Sequence, residues 1–238
     1  MAVTPPSKIL GVLGGMGPAA SAEFMRLLAL KAPATKDQEH PVVYLLSDSH
    51  IPDRGEAVSG IGIDPTGQLK ADFEKLTSWG SDVLATPCNT AHVFIDSFYD
   101  SLSKPYLHIV KETIKSCMKK SPEGAWLLAT TATCATGLYE RHAAEMGYTF
   151  YKVTDATQSV VQSIVGLVKA AKMEEAGSLM REVVEKQWKE KNVLVATACT
   201  ELPLAYDASG LPAESNVSSL SALSDACLEY LYPNVYFR

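Results

Sequence analysis

The sequence predicts an α/β protein made of two similar halves, and two observations carry that expectation. Short apolar runs alternate with helical patterns along all 238 residues, which points to parallel sheets covered by helices. The pattern also occurs twice. An apolar run entering a small, polar turn appears at Ile9–Gly17 and again at Ala125–Thr133. A run entering a cysteine appears at Val83–Cys88 and again at Val193–Cys199, with the cysteines 111 residues apart. Two related α/β domains with mostly parallel sheets and a pseudo-twofold between them follow, residues 1–105 plus 213–238 forming one and 106–212 the other. Ligands of such sheets bind beyond the carboxyl ends of the strands, so the active site is expected in a cleft between the domains.

In chain order, Ile9 to Leu13 reads as a strand that runs into Gly14-Gly15-Met16-Gly17. Pro18 opens the helix through Leu30, where a proline is tolerated in the first turn. Val42 to Leu46 is a second strand. Ser47 to Thr66, rich in Gly, Pro and Asp, is a long loop with room for one helical turn, and loops of this length inside a domain are usually functional. Thr66 to Trp79 is an amphipathic helix stopped by Gly80. The helix after Cys88 is expected to run to Leu102, followed by a strand at Leu107 to Val110 and a helix at Lys111 to Lys119. Strands at Ala125–Ala129, Phe150–Val153 and Val193–Ala196 continue the alternation. Helices are expected near Tyr139–Met146 and at Ser159–Ala170, Glu174–Lys189 and Leu220–Leu231, and Ser209–Ser219 is a turn-rich return.

The formal charge of −6 and the lack of a Lys/Arg block argue against a nucleic-acid or membrane surface, though not against a small anion. No apolar run approaches the ~20 residues of a membrane span, and residues 1–8 lack a signal-peptide core, so a cytoplasmic protein is expected. Five scattered cysteines without a CxxC pair are neither a disulfide framework nor a zinc site, and the five histidines show no metal-ligand spacing.

Chemistry concentrates at Cys88 and Cys199. A cysteine between a strand end and a helix N-terminus favours the thiolate, because free N–H groups and the helix dipole lower its pKa. One such residue is more often small packing; two in register, beside Asn89-Thr90 and Thr200-Glu201, suggest an acid/base pair facing one substrate. His92 lies four residues after Cys88, one turn along a helix. Gly15-Met16-Gly17-Pro18-Ala19-Ala20 fits G-x-G-x-x-A, and Asp48 follows the second strand, which is a case for a dinucleotide site. Pro18 removes one anion-binding N–H and Asp48 is too distant, so a glycine turn presenting N–H groups to a small carboxylate accounts for the same residues. Arg54 is either a solvated charge or a guanidinium fork for a substrate carboxylate. Lys169, closing an apolar helical run, reads from its sequence context as a C-terminal cation on the helix dipole.

Together GVLGGMGP (11–18), KDQEHP (36–41), IPDR (51–54), PCNTAH (87–92), LLATT (127–131) and CTE (199–201) resemble the aspartate/glutamate racemase superfamily, and the aspartate branch most closely. The resemblance implies a cofactor-independent, dimeric racemase with Cys88 and Cys199 as its two bases. It places Asn89, Thr90 and Thr131 near the substrate α-carboxylate and Arg54 and Lys169 on the side-chain carboxylate. Met16, Ala91 and Thr200 complete the expected substrate-binding set. The chain departs from the family pattern at Gly55, Ala132, Ala198 and Ser218-Ser219. The expected reaction is interconversion of L- and D-aspartate. Glutamate or a broader amino-acid range is the near alternative; a nicotinamide-dependent oxidoreductase and a non-catalytic carboxylate-binding module are more distant ones.

Overall fold

The computed structural model describes residues 4–235. The beginning of the stretch read for a signal peptide (1–3) and the last residues of the first expected domain (236–238) lie outside the described residues. The strands are β1 (Leu10–Gly14), β2 (Val43–Ser47), β3 (Val83–Ala85) and β4 (Tyr106–Leu107), then β5 (Ala125–Ala129), β6 (Phe150–Lys152), β7 (Val195–Ala198) and β8 (Asn216–Ser218). They form two four-stranded sheets, β2-β1-β3-β4 and β6-β5-β7-β8, parallel at every pairing. The second order repeats the first, and β3 and β7, the strands that precede the cysteines, occupy the same place in each.

Parallel strands need crossovers, and helices supply them. Along the first half of the chain the helices are α1 (Pro18–Lys31), α2 (Arg54–Val58), α3 (Thr66–Ser78) and α4 (His92–Ile95), and α5 (Ile109–Lys120) leads from the first sheet to the second. Along the second they are α6 (Thr131–Ala135), α7 (Leu138–Glu145), α8 (Asp155–Lys169), α9 (Met173–Glu190) and α10 (Leu202–Ala208), and α11 (Ser219–Leu231) follows the last strand. The chain divides into two compact units, Met1–Ile109 with Leu220–Arg238, and Val110–Ser219. The second unit thus begins with α5, and α11 returns to the first.

Every residue of β1 and β5 is buried, which is why these strands read as unbroken apolar runs rather than as alternation. In the first unit Leu13, Leu69, Phe73, Leu76, Leu84 and Ile95 pack into one core; in the second, Leu128, Val161, Ile164, Met180, Val184 and Val195 do so. Among the described residues no helix is long and apolar enough to cross a membrane.

Four local expectations change. The helix after Cys88 is a single turn, α4, followed by a separate 3-10 turn at Tyr99–Ser101. The strand expected at Leu107–Val110 is Tyr106–Leu107, and Ile109 already starts α5. The turn at Thr130–Thr133 is helical: Thr130 caps α6 by accepting the Thr133 N–H. The return segment before Leu220 contains β8, which pairs with β7.

Candidate active site

In the first unit β1 and β3 are neighbours, so the glycine turn and the Thr86-Pro87-Cys88 turn leave adjacent strand ends. Cys88 donates its N–H to the Thr86 carbonyl at 2.9 Å, folding the cysteine tightly over the end of β3. It is 6% exposed and joins Met16, Ile51 and Ala91 in the core cluster beneath the strand ends. Asn89 is buried beside it and Thr90 is half-buried. The expected activation by a helix dipole is weak here. The dipole grows with aligned peptides, α4 has four residues, and Cys88 lies three residues before its N-cap, Ala91.

His92 is fully buried, and both ring nitrogens are engaged. Nδ1 is 2.8 Å from the Cys88 carbonyl oxygen, and Nε2 is 2.8 Å from the Tyr106 hydroxyl. The imidazole therefore holds the backbone of Cys88 through its carbonyl.

Arg54 opens α2, the single turn inside the long loop, behind an Asp53 cap that accepts the Glu56 N–H. Its Nη1 donates to the carbonyls of Ile51 and Pro52 at 3.1 and 3.0 Å, and Ile51 packs in the cluster of Met16 and Cys88. Its Nε is buried without a hydrogen-bond partner, and no carboxylate of the described residues pairs with it. The guanidinium is thus anchored at one corner.

The Gly15 end of the glycine turn is satisfied from within. The Gly15 N–H donates to Ser21 Oγ at 2.9 Å, and that hydroxyl donates to the Gly17 carbonyl. Gly15 has φ +92° and packs against the backbone of Asp48, where a side chain would collide. The Asp48 carboxylate accepts the His50 N–H and the Gln68 amide. These contacts hold its carboxyl below its ordinary range, the His50 N–H contributing most. The acid that a dinucleotide ribose would need is occupied in organising the loop.

In the second unit Ala129 of β5 pairs in register with Ala198 of β7, so Thr131 and Cys199 also leave adjacent strand ends. Cys199 and Thr200 are both buried. Cys199 Sγ donates to Glu201 Oε2 at 3.1 Å, and the Thr200 hydroxyl donates to the same oxygen at 3.1 Å. A carboxylate accepting the thiol proton favours the protonated cysteine. Two glutamines of α8 set the turn after β5. Gln158 donates to the carbonyl of Ala129, the last residue of β5, and to Thr131 Oγ1, and the Gln162 carbonyl accepts the Thr131 N–H. One helical turn along α8 thus carries these contacts past the end of β5. Lys169, seven residues after Gln162 and roughly 10 Å further along the helix, is exposed at its end.

The structure therefore gathers Met16, Cys88, Asn89 and Ala91 at one set of strand ends, with Arg54 tethered to them, and Cys199, Thr200 and Thr131 at the equivalent ends of the other sheet. Tyr106 escaped the sequence reading, and Glu201 entered it only as a polar neighbour of Cys199. Glu201 had a signal, a carboxylate two residues after a candidate thiol; Tyr106 had none, since it meets His92 only through sheet pairing. Burial pushes the Cys117 thiol up to about 12 and that of Cys134 to about 11, which removes both as thiolates near neutral pH.

This repeated frame is that of a known family. The family model described as Asp/Glu/hydantoin racemase matches residues 13–218, most of the chain and both cysteine turns. The chain belongs to the Asp/Glu/hydantoin racemase family. It is accordingly a racemase, an isomerase, of the superfamily its motifs resemble. A broad specificity amino-acid racemase, RacX, from Bacillus subtilis (strain 168) is 28% identical over 208 residues, covering 84% of this chain and 88% of that protein. Among solved structures, the aspartate racemase of Picrophilus torridus superposes with a TM-score of 0.81 at 28% identity, covering 94% of each chain. Glutamate racemase isoform RacE1 from Bacillus anthracis gives 0.69 at 15% identity, covering 98% of this chain and 84% of that one, a likeness of fold alone. The fold is thus shared with solved structures named for aspartate and for glutamate, and the sequence is similar to a protein named for a broad range of amino acids.

Proposed function

We propose that this racemase interconverts L- and D-aspartate without a cofactor, using Cys88 and Cys199 as its two bases. One cysteine as thiolate removes the α-proton from one face of the substrate. The other, as thiol, returns a proton to the opposite face, and the roles exchange in the reverse direction. A cysteine suits both tasks, since an ordinary thiol pKa of ~8.5 permits either protonation state near neutral pH. The transition state resembles a carbanion, whose charge spreads onto the α-carboxylate. Asn89, Thr90 and Thr131 are assigned to that carboxylate, where N–H and hydroxyl donors meet the growing charge. Met16, Ala91 and Thr200 shape the remaining surface. Lys169 joins Arg54 on the side-chain carboxylate.

The observation that carries the aspartate assignment is Arg54, whose guanidinium is fixed by two carbonyls, with a buried Nε lacking a partner among the described residues. Leaving such a group unpaired is costly, and a dicarboxylic substrate supplies the anion. A broader range is the second reading, supported by the exposure of Lys169, which leaves part of the anchor in water, and by the relation to RacX. We also assign the enzyme to the cytoplasm as a homodimer, on its scattered cysteines without a CxxC pair and on the resemblance; a one-chain mass by light scattering would contradict the dimer.

The deciding experiment incubates the protein with L-aspartate, L-glutamate, L-alanine and L-serine in deuterium oxide, and reads α-deuterium and chirality. Aspartate should exchange and racemise fastest. Alanine matching aspartate would favour the broad range, and no exchange with any amino acid would reject the function.

A further inference from the structure

The two cysteine turns are held in different ways. In the second unit the position four residues after the cysteine is Pro203, which has no N–H, and the strand partner equivalent to Tyr106 is Asn216. In the first unit these positions carry His92 and Tyr106, 14 residues apart in sequence and hydrogen-bonded across the sheet. The His92 ring packs against both Tyr106 and His108, with centroids 5.7 and 4.4 Å away, the latter two rings being 6.1 Å apart, and His108 is itself bound to Asp96 at 2.8 Å.

The chemistry of the Cys88 carbonyl fixes the proton on one ring nitrogen. A carbonyl only accepts, so the His92 nitrogen facing Cys88 must carry the hydrogen. The Tyr106 phenol, pushed up by burial, keeps its own proton; it lies 2.8 Å from Nε2 and also has the Thr86 side chain as a neighbour. We propose that His92 and Tyr106 are positioning residues for Cys88: Tyr106 donates to His92 Nε2, His92 Nδ1–H donates to the Cys88 carbonyl, and the relay fixes the Cys88–Asn89 peptide.

The Cys88–Asn89 bond is trans, so its carbonyl and its N–H point in opposite directions. Pinning the carbonyl to the buried imidazole aims the Asn89 N–H the opposite way, and sets the Cα–Cβ direction from which the Cys88 thiol leaves. The inference rests on the racemase reading, in which that thiol and that N–H meet the same substrate. Proton transfer demands a near-attack geometry, and a misplacement of about 1 Å can cost ~10²-fold in rate. A relay behind the peptide therefore acts on kcat more than on KM.

Nitrogen-15 NMR of the full-length protein reads the tautomer directly, with the His92 signals assigned by their loss in His92→Asn. Proton on Nδ1 and none on Nε2 is expected; the opposite tautomer overturns the relay whatever the substrate. In racemisation assays His92→Leu should lower kcat by ~10²-fold with a smaller change in KM. His92→Asn, which restores a side-chain N–H near the Nδ1 position, should regain at least about tenfold of that loss. Tyr106→Phe should fall between wild type and His92→Leu. Leucine and asparagine variants of equal activity, or a Tyr106→Phe enzyme with unchanged kcat and an unchanged His92 tautomer, would overturn the proposal. Should His92→Leu not fold, the tautomer and Tyr106→Phe still decide it. If the wild type exchanges no amino-acid α-proton, the functional reading fails, and the tautomer separately decides the relay.

Discussion

Arg54 is where substrate choice becomes a question about one side chain. Its Nη1 is occupied by two carbonyls, so the remaining guanidinium edge is the part that a substrate carboxylate can meet. Arg54→Ala should lower kcat/KM for aspartate by ~10–150-fold, equivalent to about 1.5–3 kcal/mol for a charge-assisted contact, and leave any reaction with alanine nearly unchanged. Arg54→Lys keeps the charge without the fork and should recover only part of the loss. Equal loss on both substrates would show that Arg54 does not read the side chain. At this scale the sequence pointed to Cys88 and Cys199 through their register, and left Arg54, in its long loop, open between a solvated charge and a carboxylate fork. It did not show Tyr106, because the contact with His92 depends on β4 lying beside β3. It also overstated the helix behind Cys88, since a run of apolar residues cannot reveal that the helix stops after one turn.

Helices and strands were legible in proportion to their length. β1 and β5 are five-residue buried runs and announce themselves; β4 and β8 have two and three residues and exist because a neighbouring strand pairs with them. The packing of α9 on α10 was similarly invisible in the sequence. Gly177, inside α9, faces the backbone of Ala208, and a Cβ there would lie 2.7 Å from the Ala208 carbonyl carbon. Gly177→Ala improves helix propensity by ~1 kcal/mol but forces the two helices apart, which costs about 1–3 kcal/mol. The expected balance is a neutral to lower melting temperature. A rise of several degrees by calorimetry would mean that α9 and α10 part without strain.

Across the molecule, alkaline stability depends on acids whose protons the fold retains. Burial raises the Tyr139 phenol and pushes the Cys117 thiol up to about 12, and both side chains are fully buried in the second unit. An acid raised in the native state keeps its proton after the unfolded chain has lost it. Above roughly pH 9, the ordinary range of a thiol and then of a phenol, the native state binds more protons than the unfolded one. Stability should therefore fall as pH rises, by up to ~1.4 kcal/mol per pH unit for each group, until the folded pKa is reached. Urea midpoints that stay level from pH 8 to 11 would contradict this.

The duplicated topology, β2-β1-β3-β4 and β6-β5-β7-β8, puts one cysteine at the same point of each half, and the central claim is that the two share one reaction. The direct measurement follows α-deuterium incorporation and chirality with L- and D-aspartate in deuterium oxide, for wild type, Cys88→Ala and Cys199→Ala. The two-base account predicts that both variants lose racemisation. Any exchange each retains should be confined to the enantiomer whose α-proton faces its remaining cysteine, opposite in the two variants. Racemisation near the wild-type rate in either variant would contradict it.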